Sequence, residues 1–149
     1  MVMATFERHV DVKWTGNLME GSGKATAGTG AFSVPISFPS RIAPTGDTGT
    51  TPEELLAASH AACFTMVLTN TIVKKGGKAS SVRITATVTG DKGDAGIKVT
   101  SSHLKALVSG LEGIDKADLT DLAIGAEKGC PISNAIRGSV AITIEAEAV

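Results

Sequence analysis

Apolar and polar positions alternate in short segments at both ends of the chain. Near the N-terminus, the alternation around residues 11–14 places Val10, Val12 and Trp14 on one face, which is typical of a half-buried strand. Two further short segments, separated by glycines, complete a predicted antiparallel meander. A second hairpin and a closing strand are predicted later in the chain. The segments after the first strand are 21–27, 31–37, 81–89, 97–103 and 139–148.

A long helix is predicted between the two groups of strands. Thr51 suits the N-cap, Pro52 suits the first helical position, and Glu54 stands three residues after the cap. From residue 55 to about 73 the side chains are apolar or small on nearly every side, so we expect a helix that is buried all round. The pair Gly76-Gly77 ends this helix.

Two smaller helices and a loop complete the predicted elements. Residues 115–128 carry an apolar stripe with Gly129 at the C-cap, and Pro131 begins a short second helix. The stretch 39–51 is rich in proline and glycine, which is typical of a surface loop, and it carries Arg41. The predicted fold is α+β, a single domain over residues 1–149 with antiparallel sheets and a long buried central helix.

Composition and charge exclude several classes of protein. The chain has 149 residues, of which 42% are hydrophobic, and its formal charge of −1 gives no basic surface for nucleic acid. The N-terminus lacks the pattern of a signal peptide, and no run approaches the roughly 18 uninterrupted apolar residues of a membrane span. We expect a soluble cytoplasmic protein with neither a nucleic-acid nor a membrane partner.

The two cysteines are the first candidates for chemistry, since a reducing compartment disfavours a structural disulfide. Cys63 lies about 18 Å from the positive end of the long helix, so the helix dipole does not activate it. A working Cys63 thiolate needs a nearby cation, and without one the residue is a small core side chain. Cys130 precedes Pro131 at the start of a helical turn, where free N–H groups stabilise a thiolate. On this ground Cys130 is the more acidic thiol.

Arg41 is the candidate cation because it precedes the helix that carries Cys63; alternatively it is a solvated loop charge. A planar guanidinium aimed at sulfur needs a second partner, and Glu53 is a natural one. Glu53 could also do no more than stabilise the helix N-terminus. His60 lies one turn before Cys63, and we favour a packed, hydrogen-bonded core histidine over a Cys–His pair.

Metal and phosphate sites have weak support. Cys63, Cys130, His60 and His103 carry suitable atoms for a metal, but neither cysteine belongs to a Cys-x-x-Cys pair and the spacing resembles no zinc module. The glycine-containing run 45–50 lacks the Gly-Lys-Ser/Thr of a phosphate loop. Metal binding is therefore a weak alternative, and no phosphate loop is predicted.

Two stretches carry a family resemblance: Ser40-Arg41 followed by TGTTPEELLAASHAACFTM over 48–66, and KGCPIS over 128–133. They resemble the family of osmotically inducible protein C and organic hydroperoxide resistance protein (OsmC/Ohr), and the resemblance extends from Trp14 to the last strand. The position of Arg41 shortly before the Pro-Glu-Glu helix start is similar to the OsmC branch. The resemblance implies an α+β fold in which two protomers intertwine. It also implies a thiol-dependent peroxidase that acts in oxidative and osmotic stress defence.

The resemblance further implies the roles of four residues. Cys63 attacks the peroxide, Cys130 resolves the sulfenic acid as a disulfide, Arg41 activates the thiolate and Glu53 orients Arg41. The arginine also stabilises the negative charge that moves onto the peroxide oxygens, and no cofactor is needed. The residues do not distinguish hydrogen peroxide from an organic hydroperoxide, and the implied reductant is a lipoyl-type or other small dithiol. The apolar side chains available to line a substrate path are Phe38, Ile42, Phe64 and Met66.

Helix geometry predicts an assembly. Glu53 and Cys63 are separated by about 15 Å along the axis of one helix, which one guanidinium does not bridge. No proline or glycine between residues 55 and 71 interrupts that helix, so we expect the Glu53 beside a given Cys63 to come from another subunit. The prediction is an obligate homodimer with shared active sites. The alternative hypothesis is that the chain is a noncatalytic small-ligand or metal-binding α+β module with two structural cysteines.

Overall fold

A computed structural model describes residues 4–46 and 49–149 of the chain. These residues form two compact units that divide between Pro52 and Glu53. The first unit holds β1 (Val10–Thr15), β2 (Ser22–Ala27), β3 (Ser33–Ile36) and a short helix, α1 (Phe38–Ile42). The second holds all but the first residue of the long helix α2 (Pro52–Lys74), together with β4 (Ser81–Gly93), β5 (Gly96–Ser109), α3 (Leu119–Glu127), α4 (Pro131–Ile136) and β6 (Ala141–Ala148). Helices together with two small sheets confirm the predicted α+β class.

The sheet of the first unit is an antiparallel meander in the order β1, β2, β3, as predicted. Val10 lies opposite Ala27, and Gly23 lies opposite Ile36. The expectation of a half-buried β1 is wrong for the single chain, because Val10 and Val12 are 51% and 55% exposed. Alternation therefore identified the strand correctly, although its apolar face is left uncovered by the described part of this chain.

Arg41 lies on a helix and not in a loop. Residues 38–42 form α1, whose N-cap Ser37 accepts a hydrogen bond through Oγ from the Ser40 N–H at 3.2 Å, and Pro39 lies in its first turn. The loop prediction is therefore wrong over residues 39–42, since a serine cap followed by proline is itself a helix start. Residues 47 and 48 of the same predicted loop lie outside the described residues.

The long helix α2 begins at Pro52, as predicted, and continues without interruption to Lys74. Its C-terminus is a Schellman motif built on Gly76, whose φ is +82°. The Gly76 N–H donates to the Val73 carbonyl and the Gly77 N–H donates to the Ile72 carbonyl, each at 3.0 Å. The glycine pair therefore bonds two carbonyls that the helix itself leaves without donors.

Only one stripe of α2 is buried in the single chain. The buried side chains recur every fourth residue: His60, Phe64, Leu68 and Ile72. The expectation of a helix buried all round is wrong at this level, since Met66 is 67% and Val73 60% exposed. By length and composition alone α2 would also be able to cross a bilayer, a test that core helices of soluble proteins pass too. The criterion of an uninterrupted apolar run misses this helix, because Ser59, His60 and Thr65 interrupt the run.

The second sheet, in the order β4, β5, β6, is mixed. β4 and β5 form an antiparallel hairpin that runs from Ser81 opposite Ser109 to Gly93 opposite Gly96, which is longer than predicted. β6 pairs with β5 in parallel, with Ser101 opposite Ala141. The expectation of wholly antiparallel sheets is therefore wrong for β6. A parallel neighbour requires a crossover connection, and residues 110–140 supply it.

The crossover carries the helices that complete the core of the second unit. A 3₁₀ turn (Lys116–Asp118) precedes α3, so the single helix predicted over 115–128 is divided near its start. The short helix predicted from Pro131 is confirmed as α4. The core cluster joins residues of α2, β5 and the crossover: Phe64, Leu68, Ile72, Leu104, Ala106, Val108, Leu119, Ala123, Ala126 and Cys130. The crossover thus delivers Cys130 to the core.

Candidate active site

Cys63 and Cys130 come from distant segments and meet within the second unit. Cys63 is half-buried midway along α2, whereas Cys130 is fully buried and forms the N-cap of α4. Both are free thiols, and the Cys130 side chain lies within hydrogen-bonding reach of the Cys63 sulfur. The structure therefore brings together the two thiols that the sequence singled out.

The surroundings of Cys63 oppose its ionisation. Burial raises the pKa of the Cys63 thiol, because a poorly solvated thiolate is costly. The backbone N–H of Ile132 lowers this pKa by donating a hydrogen bond to the sulfur, and the contact with Cys130 raises it further. The pKa of Cys63 lies above its ordinary value as a result. A thiolate here needs an additional positive charge, as predicted from the sequence.

His60 is a buried histidine with a hydrogen bond at each ring nitrogen. Its Nδ1 lies 2.7 Å from the Oγ of Ser102 on β5, and its Nε2 lies 2.7 Å from the Oγ of Ser133 on α4. Burial lowers the pKa of His60, against a raising effect of the Glu127 carboxylate, so the imidazole is neutral at pH 7. Because serine hydroxyls occupy both nitrogens, the expected core histidine is confirmed and no Cys–His pair forms.

Sequence reasoning missed Ser102 and Ser133, although Ser102 carried a signal. Alternation along β5 places Ser102 on the same face as Leu104, Ala106 and Val108, and that face is buried. A hydroxyl on a core face needs a hydrogen-bond partner, so its position alone pointed to a buried polar contact. Ser133 had no equivalent signal, because the pattern of a six-residue helix does not show what its first turn faces.

The far end of α4 is held by an ion pair. Arg137, which caps α4, lies 2.6 Å from a carboxylate oxygen of Glu127, and the Glu127 side chain is only 7% exposed. Arg137 also donates to the side-chain oxygen of Asn134 at 3.2 Å. Before α4, the Cys130 N–H donates to the Glu127 carbonyl at 2.9 Å. Glu127 therefore contacts both ends of this short helix.

Arg41 and Glu53 belong to different units. Arg41 lies in the last turn of α1, and Glu53 lies in the first turn of α2. Glu53 faces β4, since a Cβ built on Gly90 would lie 3.5 Å from the Glu53 Cγ. This is a position at which a carboxylate stabilises a helix N-terminus. The roles that the resemblance implies for these two residues stay predictions.

The predicted substrate path and the metal alternative can be compared with the described side chains. The prediction that Phe64 lines a substrate path is wrong, because Phe64 is fully buried in the core. The exposed Met66 lines a groove of about 1210 Å³ along α2 and α3. Within residues 4–46 and 49–149, no three His, Cys, Asp or Glu side chains group closely enough to hold a metal ion. His103, considered as a ligand, bonds instead to Thr143 at 2.7 Å on the exposed side of the second sheet.

Comparisons with known sequences point in one direction. The family model described as OsmC-like protein matches residues 45–145. The chain is similar to peroxiredoxin OsmC of Escherichia coli strain K12, with 33% identity over 139 residues that cover 93% of this chain and 95% of the relative. It is also similar to the organic hydroperoxide resistance protein of Xanthomonas axonopodis pv. citri, with 33% identity over 126 residues, 82% of this chain and 84% of the relative.

Solved structures with the same fold cover nearly the whole chain. An organic hydroperoxide resistance protein from Elizabethkingia anophelis matches with a TM-score of 0.76 at 24% identity, over 99% of this chain and 100% of its own. The organic hydroperoxide resistance protein OhrB of Bacillus subtilis matches with a TM-score of 0.70 at 26% identity, over 93% of this chain and 98% of its own. The arrangement of the two sheets' strands and the helices is therefore a known fold.

Proposed function

The chain belongs to the OsmC-like protein family, as its motifs indicated, and from this premise we propose that it is a thiol-dependent peroxidase in oxidative and osmotic stress defence. Organic hydroperoxides are the proposed substrates, with hydrogen peroxide as a second one. The names of its relatives, peroxiredoxin and organic hydroperoxide resistance protein, support a role in peroxide defence. The observation that carries the proposal is the meeting of two free thiols, Cys63 and Cys130, in one site.

The first step of the proposed reaction forms a sulfenic acid. The Cys63 thiolate attacks one oxygen of the peroxide, the O–O bond breaks, and the alkoxide that leaves takes a proton and departs as an alcohol. In this step Cys63 is oxidised by two electrons and the peroxide is reduced by two. Arg41, oriented by Glu53, lowers the thiol pKa and stabilises the negative charge that develops on the oxygens.

The second step closes a disulfide. The Cys130 thiolate attacks the Cys63 sulfenic sulfur, the S–OH bond breaks, and the hydroxide leaves as water after protonation. A small dithiol, of lipoyl type or similar, then exchanges with the Cys63–Cys130 disulfide, so that both thiols are restored and the dithiol is oxidised to its own disulfide. The chemistry requires no cofactor and no metal.

We also propose a soluble cytoplasmic protein of one domain that works as an intertwined homodimer. Two observations support a second copy as partner: the exposed apolar side chains of α2, and the groove beside α2 that Met66 lines. Shared active sites follow in this proposal from helix geometry. α2 is one continuous helix, so Glu53 and Cys63 stand about 15 Å apart along its axis.

Titration of free thiols with one equivalent of cumene hydroperoxide tests the proposed function. The wild-type chain is expected to lose both thiols, Cys63→Ser none, and Cys130→Ser only Cys63, as a sulfenic acid that dimedone traps. The Cys63→Ser variant is also expected to stop peroxide consumption. Two thiols that survive in the wild-type chain would instead support the noncatalytic binding module. Normal turnover by Cys63→Ser would overturn the assignment of Cys63 as the attacking residue.

A further inference from the structure

The first turn of α4 contacts α2 at two adjacent points. The Ile132 N–H donates to the sulfur of Cys63, and the Ser133 Oγ lies 2.7 Å from Nε2 of His60. His60 and Cys63 are one helical turn apart on α2, and Ile132 and Ser133 are neighbours on α4. The contact that acidifies Cys63 and the contact to His60 therefore hold the same turn of the same short helix.

The imidazole of His60 links three elements. Its second nitrogen bonds to Ser102 on β5, so the ring joins the central strand of the second sheet to α2 and to α4. His60, Ser102 and Ser133 are all fully buried. One ring nitrogen of a neutral imidazole donates and the other accepts, and a hydroxyl serves either role, so the network is complete. A complete buried network of this kind is rigid, and removing one member leaves a costly unpaired group.

The last turn of α4 is attached by different residues. Arg137 and Glu127 form their ion pair there, and Arg137 reaches Ser133 only through the backbone, where its N–H donates to the Ser133 carbonyl at 2.9 Å and leaves the Ser133 hydroxyl to His60 in the described residues. Loss of the Ser133 hydroxyl therefore loosens the first turn, which carries Cys130 and Ile132, while the end of the helix stays in place. The attachment through His60 acts selectively on the half of α4 that holds the second thiol.

We propose that His60, acting through Ser133, is a positioning residue for disulfide closure, an inference that rests on the proposed peroxidase function. It holds the first turn of α4 so that the Cys130 sulfur stands ready to attack the Cys63 sulfenic acid, and so that the Ile132 N–H stays directed at Cys63. Closure then needs no local unfolding of α4. Neither His60 nor Ser133 touches the peroxide in this proposal.

The test uses Ser133→Ala with Ser102→Ala as the matched control. Each removes one buried hydroxyl from His60, but only the first releases α4. After one equivalent of peroxide, dimedone competition measures how fast the Cys63 sulfenic acid closes on Cys130. Ser133→Ala is expected to slow closure on the order of tenfold or more, because small misplacements of reacting groups cost such factors. Its Cys63 thiolate is also expected to form at higher pH, and Ser102→Ala is expected to match the wild type in both measurements.

The outcomes separate this proposal from the peroxidase itself. Ser133→Thr, which restores the hydroxyl, is expected to recover closure and the wild-type pH profile. If Ser102→Ala slows closure as much as Ser133→Ala, the network contributes stability only and the positioning role is wrong. Wild-type closure in Ser133→Ala would also overturn it. Failure of the proposed function would give a different result, since the wild-type protein itself would then form no sulfenic acid.

Discussion

The Cys63 thiol lies in surroundings that raise its pKa, and one backbone N–H from Ile132 acts in the opposite direction. A raised pKa leaves less thiolate at pH 7, and the thiolate is the nucleophile. The first step of the proposed reaction therefore depends on a positive charge that the second unit's own contacts with Cys63 do not provide. Arg41 is the proposed source of that charge.

Replacement of Arg41 is expected to move the Cys63 titration upward. If Arg41 supplies the proposed charge, its removal leaves the thiolate without a cation. The Cys63 thiol of the Arg41→Ala protein should then ionise at higher pH, and sulfenic acid formation at pH 7 should slow about tenfold for each unit of pKa gained. Arg41→Lys should not restore the wild-type profile, because an ammonium lacks the planar fork that binds a carboxylate and faces sulfur at once. Thiolate absorbance against pH and single-turnover oxidation measure the two effects.

The control for this prediction is Arg83→Ala, which removes one exposed arginine from β4 and should leave both measurements unchanged. An Arg41→Ala protein with the wild-type thiolate profile would exclude Arg41 as the activating charge. The sequence showed which residue types the chemistry requires. It did not show the buried partners of His60, because hydrogen bonds between α2, β5 and α4 depend on how distant segments pack.

Among the elements, α2 ends at a backbone conformation that favours glycine. Gly76→Ala is expected to lower the free energy of unfolding by about 1 to 2 kcal/mol, because its φ of +82° strains a residue with a Cβ. Apart from its chain neighbours, no described residue has an atom within 4 Å of the added Cβ, so conformation and not collision is the cause. Urea unfolding at a fixed protein concentration measures the change.

Gly93→Ala is the matched control for the helix end. A Cβ at Gly93 also meets nothing within 4 Å among the residues that the structure describes, and Gly93 is not among their positive-φ glycines, so its effect should stay within about 0.5 kcal/mol. Equal losses of stability in the two variants would show that the Schellman motif does not end α2 as described.

Local signals predicted the helices and strands well, but they predicted the pairing between distant elements poorly. The start of α2, the meander of the first unit and the helix after Pro131 follow from caps, glycines and alternation, which act within a few residues. The parallel pairing of β6 with β5 has no local signature, because alternation looks the same in both strand directions. The density of proline and glycine over residues 39–51 predicts a loop around Arg41, although a proline that follows a serine cap is also favoured in a first helical turn.

For the whole molecule, the exposed apolar faces of β1 and α2 are the main departure from the predicted core. Val10, Val12, Met66 and Val73 are all more than half exposed in the single chain. Apolar faces of this kind mark interaction surfaces in soluble proteins. Apolar patterning identified these faces from sequence, but it does not show whether the same chain or a second copy covers them. The homodimer is the proposal that covers both.

Mixing two inactive variants tests the shared sites of that homodimer. A Cys63→Ser chain supplies an intact Glu53, and a Glu53→Ala chain supplies an intact Cys63, so each heterodimer should contain one complete site. Random assortment of equal amounts should give about one quarter of wild-type peroxide consumption for a two-fold dimer. A mixture that only reaches the sum of its parents, after subunit exchange is verified, or an active monomer in sedimentation, would contradict the shared-site model.

The crossover between β5 and β6 also has a consequence for the order of events during protein synthesis. The ribosome makes Cys63 well before Cys130, and it makes β6 last. Parallel pairing of Ser101 with Ala141 fixes the far end of the crossover, and such long-range closure is slower than formation of a hairpin. A nascent chain therefore carries Cys63 before Cys130, its proposed resolving partner, is in place.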